Sequence, residues 1–285
     1  IRITDLALPL NHAEEELKEA ILRELNSPDI SMKHFEIFRR GYDARKKHAI
    51  LLIYTIDIDT SDNATLLQRL HNNPRISSTP DTAYKFIAKV NKAPAKRPVV
   101  IGFGPCGLFV ALILAEMGLQ PIVLERGKNV RERTKDTWGL WRKRELHTES
   151  NVQFGEGGAG TFSDGKLYSQ IKDPKHYGRK VLEEFVKADA PEEILYVSKP
   201  HIGTFRLVKM IELMREKIVS LGGEIRFEQR VVDLDIKDHK IEGLHLADGS
   251  YLEADHVALA IDIAHLQPTR FADPQPRGVG THHHG

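Results

Sequence analysis

Between Pro98 and Arg126 the chain reads PVVIGFGPCGLFVALILAEMGLQPIVLER, and no other stretch so narrows what it can fold into. Val99, Val100 and Ile101 form a short β-branched run ending at a glycine, the pattern of a strand buried on both faces. "GLFVALILAEMG" then reads as a helix ended by Gly118, and "QPIVLER" as a second buried strand. Strand, crossover helix and strand make a β-α-β unit, which requires parallel pairing and so an α/β fold with a parallel sheet. Gly102, Gly104, Pro105 and Gly107 interrupt the apolar run, which falls short of the about 20 residues that span a bilayer. It reads as a buried strand-turn-helix, not a membrane segment.

Gly102, Gly104 and Gly107 spell G-x-G-x-x-G directly after the first strand and at the start of the helix. In a Rossmann-like unit the first glycine permits the tight turn and the second lets backbone approach a pyrophosphate. The third lets helix and sheet pack closely, and the helix N-terminus favours phosphate charge. Glu125 ends the second strand, where a carboxylate accepts hydrogen bonds from adenosine ribose hydroxyls. The fingerprint is shared by NAD and FAD sites, and an acid at Glu125 disfavours NADP, whose extra phosphate it would repel. Two features favour FAD. The loop "FGEGGAGTFSDGK" supplies Gly155, Gly157, Gly158 and Gly160, whose backbone can cradle a phosphate or a ribityl chain. The late segment ending "DHVALAI" returns a strand to the nucleotide-binding sheet.

The first ninety residues follow another rhythm. "IRITDLAL" alternates like a strand, and Leu17, Ile21, Leu22 and Leu25 are at helical spacing. "HFEIFRR" and "AILLIYTIDID" read as two strands joined by a basic turn, and "NATLLQRLHNN" as a second helix. That order predicts a small ferredoxin-like α+β module over 1–92, with "VNKAPAKRP" as linker. The Rossmann-like domain is expected over 93–261 and an irregular tail over 262–285. Within the second domain, "VRERTKDTWGLWRKREL" reads as a charged surface helix, "TFRLVKMIELMREKIVSLGG" as another helix, and 224–261 as strands with turns at Asp238-His239 and Asp248-Gly249.

Formal net charge is +1, so no global field favours nucleic acid or membrane. The single Cys106 excludes an internal disulfide framework and fits a reducing compartment, and the acids in the first residues do not fit a signal peptide, so a cytoplasmic location is expected. The chain opens on Ile1 rather than Met, so further N-terminal sequence is expected. His282 to His284 have no accompanying ligands and read as a terminal tail; no metal is expected.

The runs "RPVVIGFGPCGLFVALILAEMGLQPIVLERG", "ESNVQFGEGGAGTFSDGKL" and "APEEILYVSKPHIGTFRLVKMI" resemble the bacterial FAD-dependent dehydrogenases of uncharacterised substrate, also described as NAD(FAD)-utilising. "RRGYDARKK" before a strand ending "YTIDID" resembles that family's leading module, so the likeness runs from the first residue to about Ile261. It implies FAD as cofactor, Glu125 on the ribose and the strand at Arg230-Val231 against the adenine. The cofactor set it implies is Gly102, Gly104, Pro105, Gly107, Glu125, Arg126, Gly157, Gly158, Gly160 and Val231, with NAD(P)H a candidate electron donor. The chain departs from the family after "DHVALAI", where Asp262 replaces an expected glycine and no substrate domain follows. A truncation, a frameshift or an altered terminus is expected there, with the adenine half of the site present and the flavin half largely absent.

Among the remaining residues, Cys106 is expected as a small buried residue rather than a redox thiol. Lys166, after Ser163 and Asp164, is a candidate cation near the flavin, and His201 a candidate acid-base group. Arg39, Arg40, Arg45, Lys46 and Lys47 form a basic cluster that could meet a polyanion. The function expected is an FAD-dependent oxidoreductase passing hydride through the flavin. The alternative is a nucleotide-sensing, polyanion-binding or protein-binding module without turnover.

Overall fold

A computed structural model describes residues 1–261 apart from positions 29 and 170. The chain opens with β1 (Arg2–Pro9), α1 (Glu14–Glu24), β2 (Met32–Asp43), β3 (Leu51–Thr60), α2 (Asn63–Arg69) and the two-residue β4 (Ile76–Ser77). These strands form one antiparallel sheet in the order β2-β3-β1-β4. In β3 the residues Leu52, Tyr54, Ile56 and Ile58 are buried, and they pack on Leu17, Ala20 and Ile21 of α1. Period-two alternation in the strand thus meets period-3.6 spacing in the helix, which is how one face of a sheet is buried by a helix.

After residues 78–98, which carry no helix or strand, come β5 (Val99–Ile101), α3 (Pro105–Glu116), β6 (Ile122–Leu124), α4 (Val130–Lys143), α5 (Tyr177–Lys187), α6 (Thr204–Ser220) and β7 (Glu224–Arg226). A meander of β8 (Val231–Lys237), β9 (Lys240–Leu246) and β10 (Tyr251–Glu253) then leads to β11 (Val257–Leu259). The parallel sheet has the order β11-β5-β6-β7, with Val99 opposite Ile122 on one side and Val257 on the other. The expected mixed α/β fold with a parallel sheet is present.

Alternation along β5 assigns its layers. Val100 faces Leu108, Ala111 and Leu112 of α3 and Met210 of α6 within one core, while Val99 and Ile101 join Leu244, Leu252 and Val231 of the meander in another. The sheet is covered on both faces, which explains its uninterrupted β-branched runs. Burying each such side chain contributes about 1.5–3 kcal/mol. Among the described residues no helix is long and apolar enough to cross a membrane.

The first antiparallel sheet meets α5 and the segment after it through the edge strand β2. The Arg40 amide donates to the Tyr196 carbonyl at 2.6 Å, the Ser198 amide donates to the Arg40 carbonyl at 2.9 Å, and Arg179 pairs with Glu36 at 3.0 Å. Pairing this edge with residues 196–198 removes open hydrogen-bonding groups that would otherwise invite another strand.

Candidate functional site

β5 is flanked by β6, reached through α3, and by β11, reached through the meander. In an open parallel sheet such a reversal of strand order leaves a crevice at the carboxyl ends of the strands. A cleft of about 1100 Å³ lies there. Its walls are the ends of β5, β6 and β11 (Ile101, Leu124, Leu259), the turn Gly102 to Cys106, the loop residues 153–155, 158 and 159, and residues 229–234. Gly102, Gly104, Pro105, Glu125, Arg126, Gly158 and Val231 therefore all line one cavity.

The three fingerprint glycines are required for different reasons. Gly102 has φ +95°, and a Cβ there would be 2.7 Å from the Ala260 carbonyl oxygen, where the chain leaves β11. A Cβ on Gly107 would overlap the Gly102 carbonyl oxygen, so helix α3 can start against the turn only if this residue is bare. Gly104 differs. Its Cβ position meets nothing closer than the Gly158 Cα at 3.8 Å, so the fold itself leaves room for a side chain. Gly104 is also the N-cap of α3 and supplies no side-chain cap, and Pro105 follows at the first helical position. The first-turn amides are left for an anion entering the cleft.

Glu125 is only 4% exposed, yet it forms part of the cleft wall. Its Oε2 accepts the Phe103 amide and its Oε1 the Gly127 amide, both at 2.8 Å. A carboxylate offers about four lone-pair sites, so two remain for hydroxyl donors. The Phe103 carbonyl in turn accepts the Gly157 amide at 2.8 Å, which ties the glycine turn to the loop after α4.

That loop is organised from beneath by Arg133 of α4, which is fully buried. Its guanidinium donates to the carbonyls of Asn151 (2.8 Å), Val152 (2.6 Å), Glu156 (2.6 Å) and Gly158 (2.8 Å). Burial pushes its pKa down to about 10, which leaves it charged at neutral pH. Glu156, also fully buried, accepts the Val130 amide at the start of α4 (2.7 Å) and Arg215 of α6 (2.6 Å) through Oε2, while Oε1 has no partner. Burial pushes this carboxyl up to about 7, against the opposing pull of the Val130 amide and Arg215.

Beside the main cleft lies a smaller cavity of about 410 Å³, and Arg126, Gln229 and Arg230 line both. Between them Glu149 binds Arg126 at 2.7 Å and Arg230 at 3.6 Å, and the Arg126 guanidinium lies 4.2 Å over the Phe154 ring. The hydrogen bond from Arg126 holds the Glu149 carboxyl below its ordinary range.

Other residues singled out from the sequence lie away from the cleft or in surroundings other than expected. Cys106 is exposed on the cleft wall instead of buried, because the second helical position of α3 turns away from the sheet. Gly157 faces the interior, not the cleft: a Cβ there would overlap Thr161 Oγ1 and lie 2.5 Å from Ile211 Cδ1. Gly160 is exposed outside the cleft lining, with nothing within 4 Å of its Cβ position. Lys166 and His201 face each other in an isolated antiparallel bridge, and neither lines the cleft. Lys166 is mostly exposed and pairs with Asp164 at 3.1 Å. Of the basic cluster, Arg40 sits in the junction with Tyr196, and Arg45 is held by Asp43 at 2.5 Å. Asp262 and His282 to His284 lie outside the described residues.

Sequence reasoning missed Arg133, Glu149 and Glu156. "VRERTKDTWGLWRKREL" is charged throughout, so nothing in its pattern separates the buried Arg133 from its exposed neighbours. The signal available was the glycine loop itself, whose clustered carbonyls need a donor once buried.

Residues 177–281 match the family model described as flavin containing amine oxidoreductase, and residues 1–59 match one described as a domain of unknown function (DUF8436). An uncharacterized protein of Clostridium beijerinckii is 40% identical over 261 residues, covering 92% of this chain and 48% of that protein. The chain thus spans about half the length of that curated relative. Among solved structures, Thermovibrio ammonificans THI4 has a TM-score of 0.36 at 16% identity, covering 57% of this chain and 55% of that one. Glycine oxidase from Bacillus cereus has a TM-score of 0.31 at 14% identity, covering 58% and 55%. The flavin-family match bears out the resemblance to FAD-containing oxidoreductases.

Proposed function

We propose that the 1100 Å³ cleft binds the ADP portion of FAD, and that the protein is an FAD-dependent oxidoreductase. One observation carries this reading: a bare, uncapped helix start at Gly104 and the buried carboxylate of Glu125 line the same cleft at the reversal of strand order. At about 1100 Å³ the cleft slightly exceeds the range of about 300 to 1,000 Å³ usual for small-molecule sites.

The residues fit the group. The amides at the start of α3 and the space at Gly104 suit a pyrophosphate, and Gly158 bounds that space from the facing loop. The Glu125 carboxylate, fixed by the Phe103 and Gly127 amides, suits the ribose hydroxyls. Gln229, Arg230 and Val231 border the adenine end. A bound flavin supplies two-electron chemistry with hydride exchange at N5, and NAD(P)H is the electron donor proposed for it. Lys166 and His201, outside the cleft lining, have no place in this part of the site.

Calorimetric titration of the purified chain with ADP and with FAD tests the reading, together with identification of any yellow cofactor that co-purifies. Saturable binding of both supports it. Absence of binding by either would sink it.

A further inference from the structure

Glu125 follows β6 and leads directly into Arg126, whose guanidinium already has one edge engaged. Its Nε and Nη2 both reach Glu149 Oε2 at 2.7 Å, and the stack on Phe154 fixes the plane of the guanidinium. Arg230, from the start of the meander, approaches the other Glu149 oxygen at 3.6 Å. One carboxylate of the smaller cavity thus bonds Arg126 and pairs at longer range with Arg230, the two arginines lining both cavities. The neighbouring Lys128 is occupied separately, by Asp136 at 3.0 Å.

Around the two arginines the carboxylates are Glu125 and Glu149, with Glu228 and Asp248 also lining the smaller cavity and Asp233 the cleft. A ribose seated on Glu125 presents its 2′ position to this cluster. A free hydroxyl adds no charge. A 2′-phosphate adds about two negative charges and meets both carboxylates, while the Nε–Nη2 edge of Arg126 that would match it is already taken by Glu149. Arginine beside this position is the usual means of accepting a 2′-phosphate, so what decides here is the partner that removes it from use.

We infer that Glu149 is a specificity-determining residue, which withholds Arg126 from the nucleotide, offsets the charge of Arg230 and reserves the cleft for adenosines with a free 2′-hydroxyl. This rests on the nucleotide reading of the cleft. Neutralising Glu149 loosens Arg126 and removes the carboxylate opposite Arg230 without touching Glu125 or the glycine turn.

The test compares ADP-ribose with 2′-phospho-ADP-ribose, which share the pyrophosphate and differ only at the 2′ position. Both are titrated into the wild-type chain, Glu149→Gln and Glu149→Gln/Arg126→Met. The wild type should favour ADP-ribose by about tenfold or more, and Glu149→Gln should shift that ratio toward the 2′-phosphate by about tenfold while ADP-ribose affinity stays within about threefold. Adding Arg126→Met should reverse the gain. An unchanged ratio in Glu149→Gln, with ADP-ribose still bound, overturns the inference and leaves the nucleotide site standing. Loss of both ligands in Glu149→Gln alone also overturns it, since Glu149 would then be a positioning residue for the whole site. Failure of the wild type to bind either ligand overturns the nucleotide reading and the inference with it.

Discussion

The Glu125 carboxylate accepts the backbone amide of Phe103 at 2.8 Å, so the acid at the end of one strand holds the glycine turn at the end of the next. The residue that would bind the ribose is therefore also a brace for the site that would bind the phosphate. Its second oxygen, bonded to the Gly127 amide, fixes the side chain from the other side.

Glu125→Gln should consequently lose stability as well as nucleotide affinity, because the new amide group faces a backbone donor. A buried hydrogen bond to a charged group contributes about 1.5–3 kcal/mol, and a fall of that size in urea unfolding is expected. An unchanged midpoint would mean that the Phe103 and Gly127 amides find other partners.

Gly104 and Gly107 should separate binding from folding. Gly104→Ala places its Cβ in open space 3.8 Å from Gly158, so the melting temperature should stay near that of the wild type while ADP binding is lost. Gly107→Ala drives a Cβ into the Gly102 carbonyl and should destabilise by about 1–3 kcal/mol. Calorimetric binding and thermal unfolding of both variants decide it, and retained ADP affinity in Gly104→Ala would remove the pyrophosphate from this turn.

Glu156 should make stability fall as pH rises. Its carboxyl is pushed up to about 7 in the folded chain by burial, so the folded state keeps a proton that the unfolded state has released above about 4.5. The contribution is fully present below the unfolded value and is lost as pH rises through 7, by about 3 kcal/mol at most. Arg133, Arg215 and Glu212 are the charged groups that bear on it. Denaturant unfolding at pH 5 and pH 8 should show a steeper decline in the wild type than in Glu156→Gln; parallel slopes would place the titration elsewhere.

Arg133→Met should collapse the glycine loop, since the carbonyls of Asn151, Val152, Glu156 and Gly158 all lose the guanidinium and only the last two keep a bond, from Thr161. Buried groups left without partners cost about 1–3 kcal/mol each, so a loss above about 3 kcal/mol is expected. Lysine should not rescue it, because a single ammonium lacks the planar fork that spans these carbonyls. A wild-type urea midpoint in Arg133→Lys would show that charge alone suffices.

What the sequence by itself determined is the β-α-β unit, the acid at Glu125 and the returning strand at 257–259. Each is written in local chemistry: β-branched runs between glycines, helix formers ended by Gly118, turn residues at Asp238-His239 and Asp248-Gly249. The two-residue β4 was not legible, because so short a strand exists only by pairing with β1. Only the tertiary structure decided which glycines of the second loop face the cleft. Gly155 and Gly158 do and Gly157 does not, and in sequence they are alike. The same holds for the charges. Arg133 lies on a helix that reads as a charged surface and Arg126 reads as a cofactor contact, and what separates a buried clamp from a rim ion pair is which carbonyls and carboxylates the fold brings within about 3 Å. Spacing along the chain records periodicity and turns, but the partner of a long charged side chain is set across segments far apart in sequence.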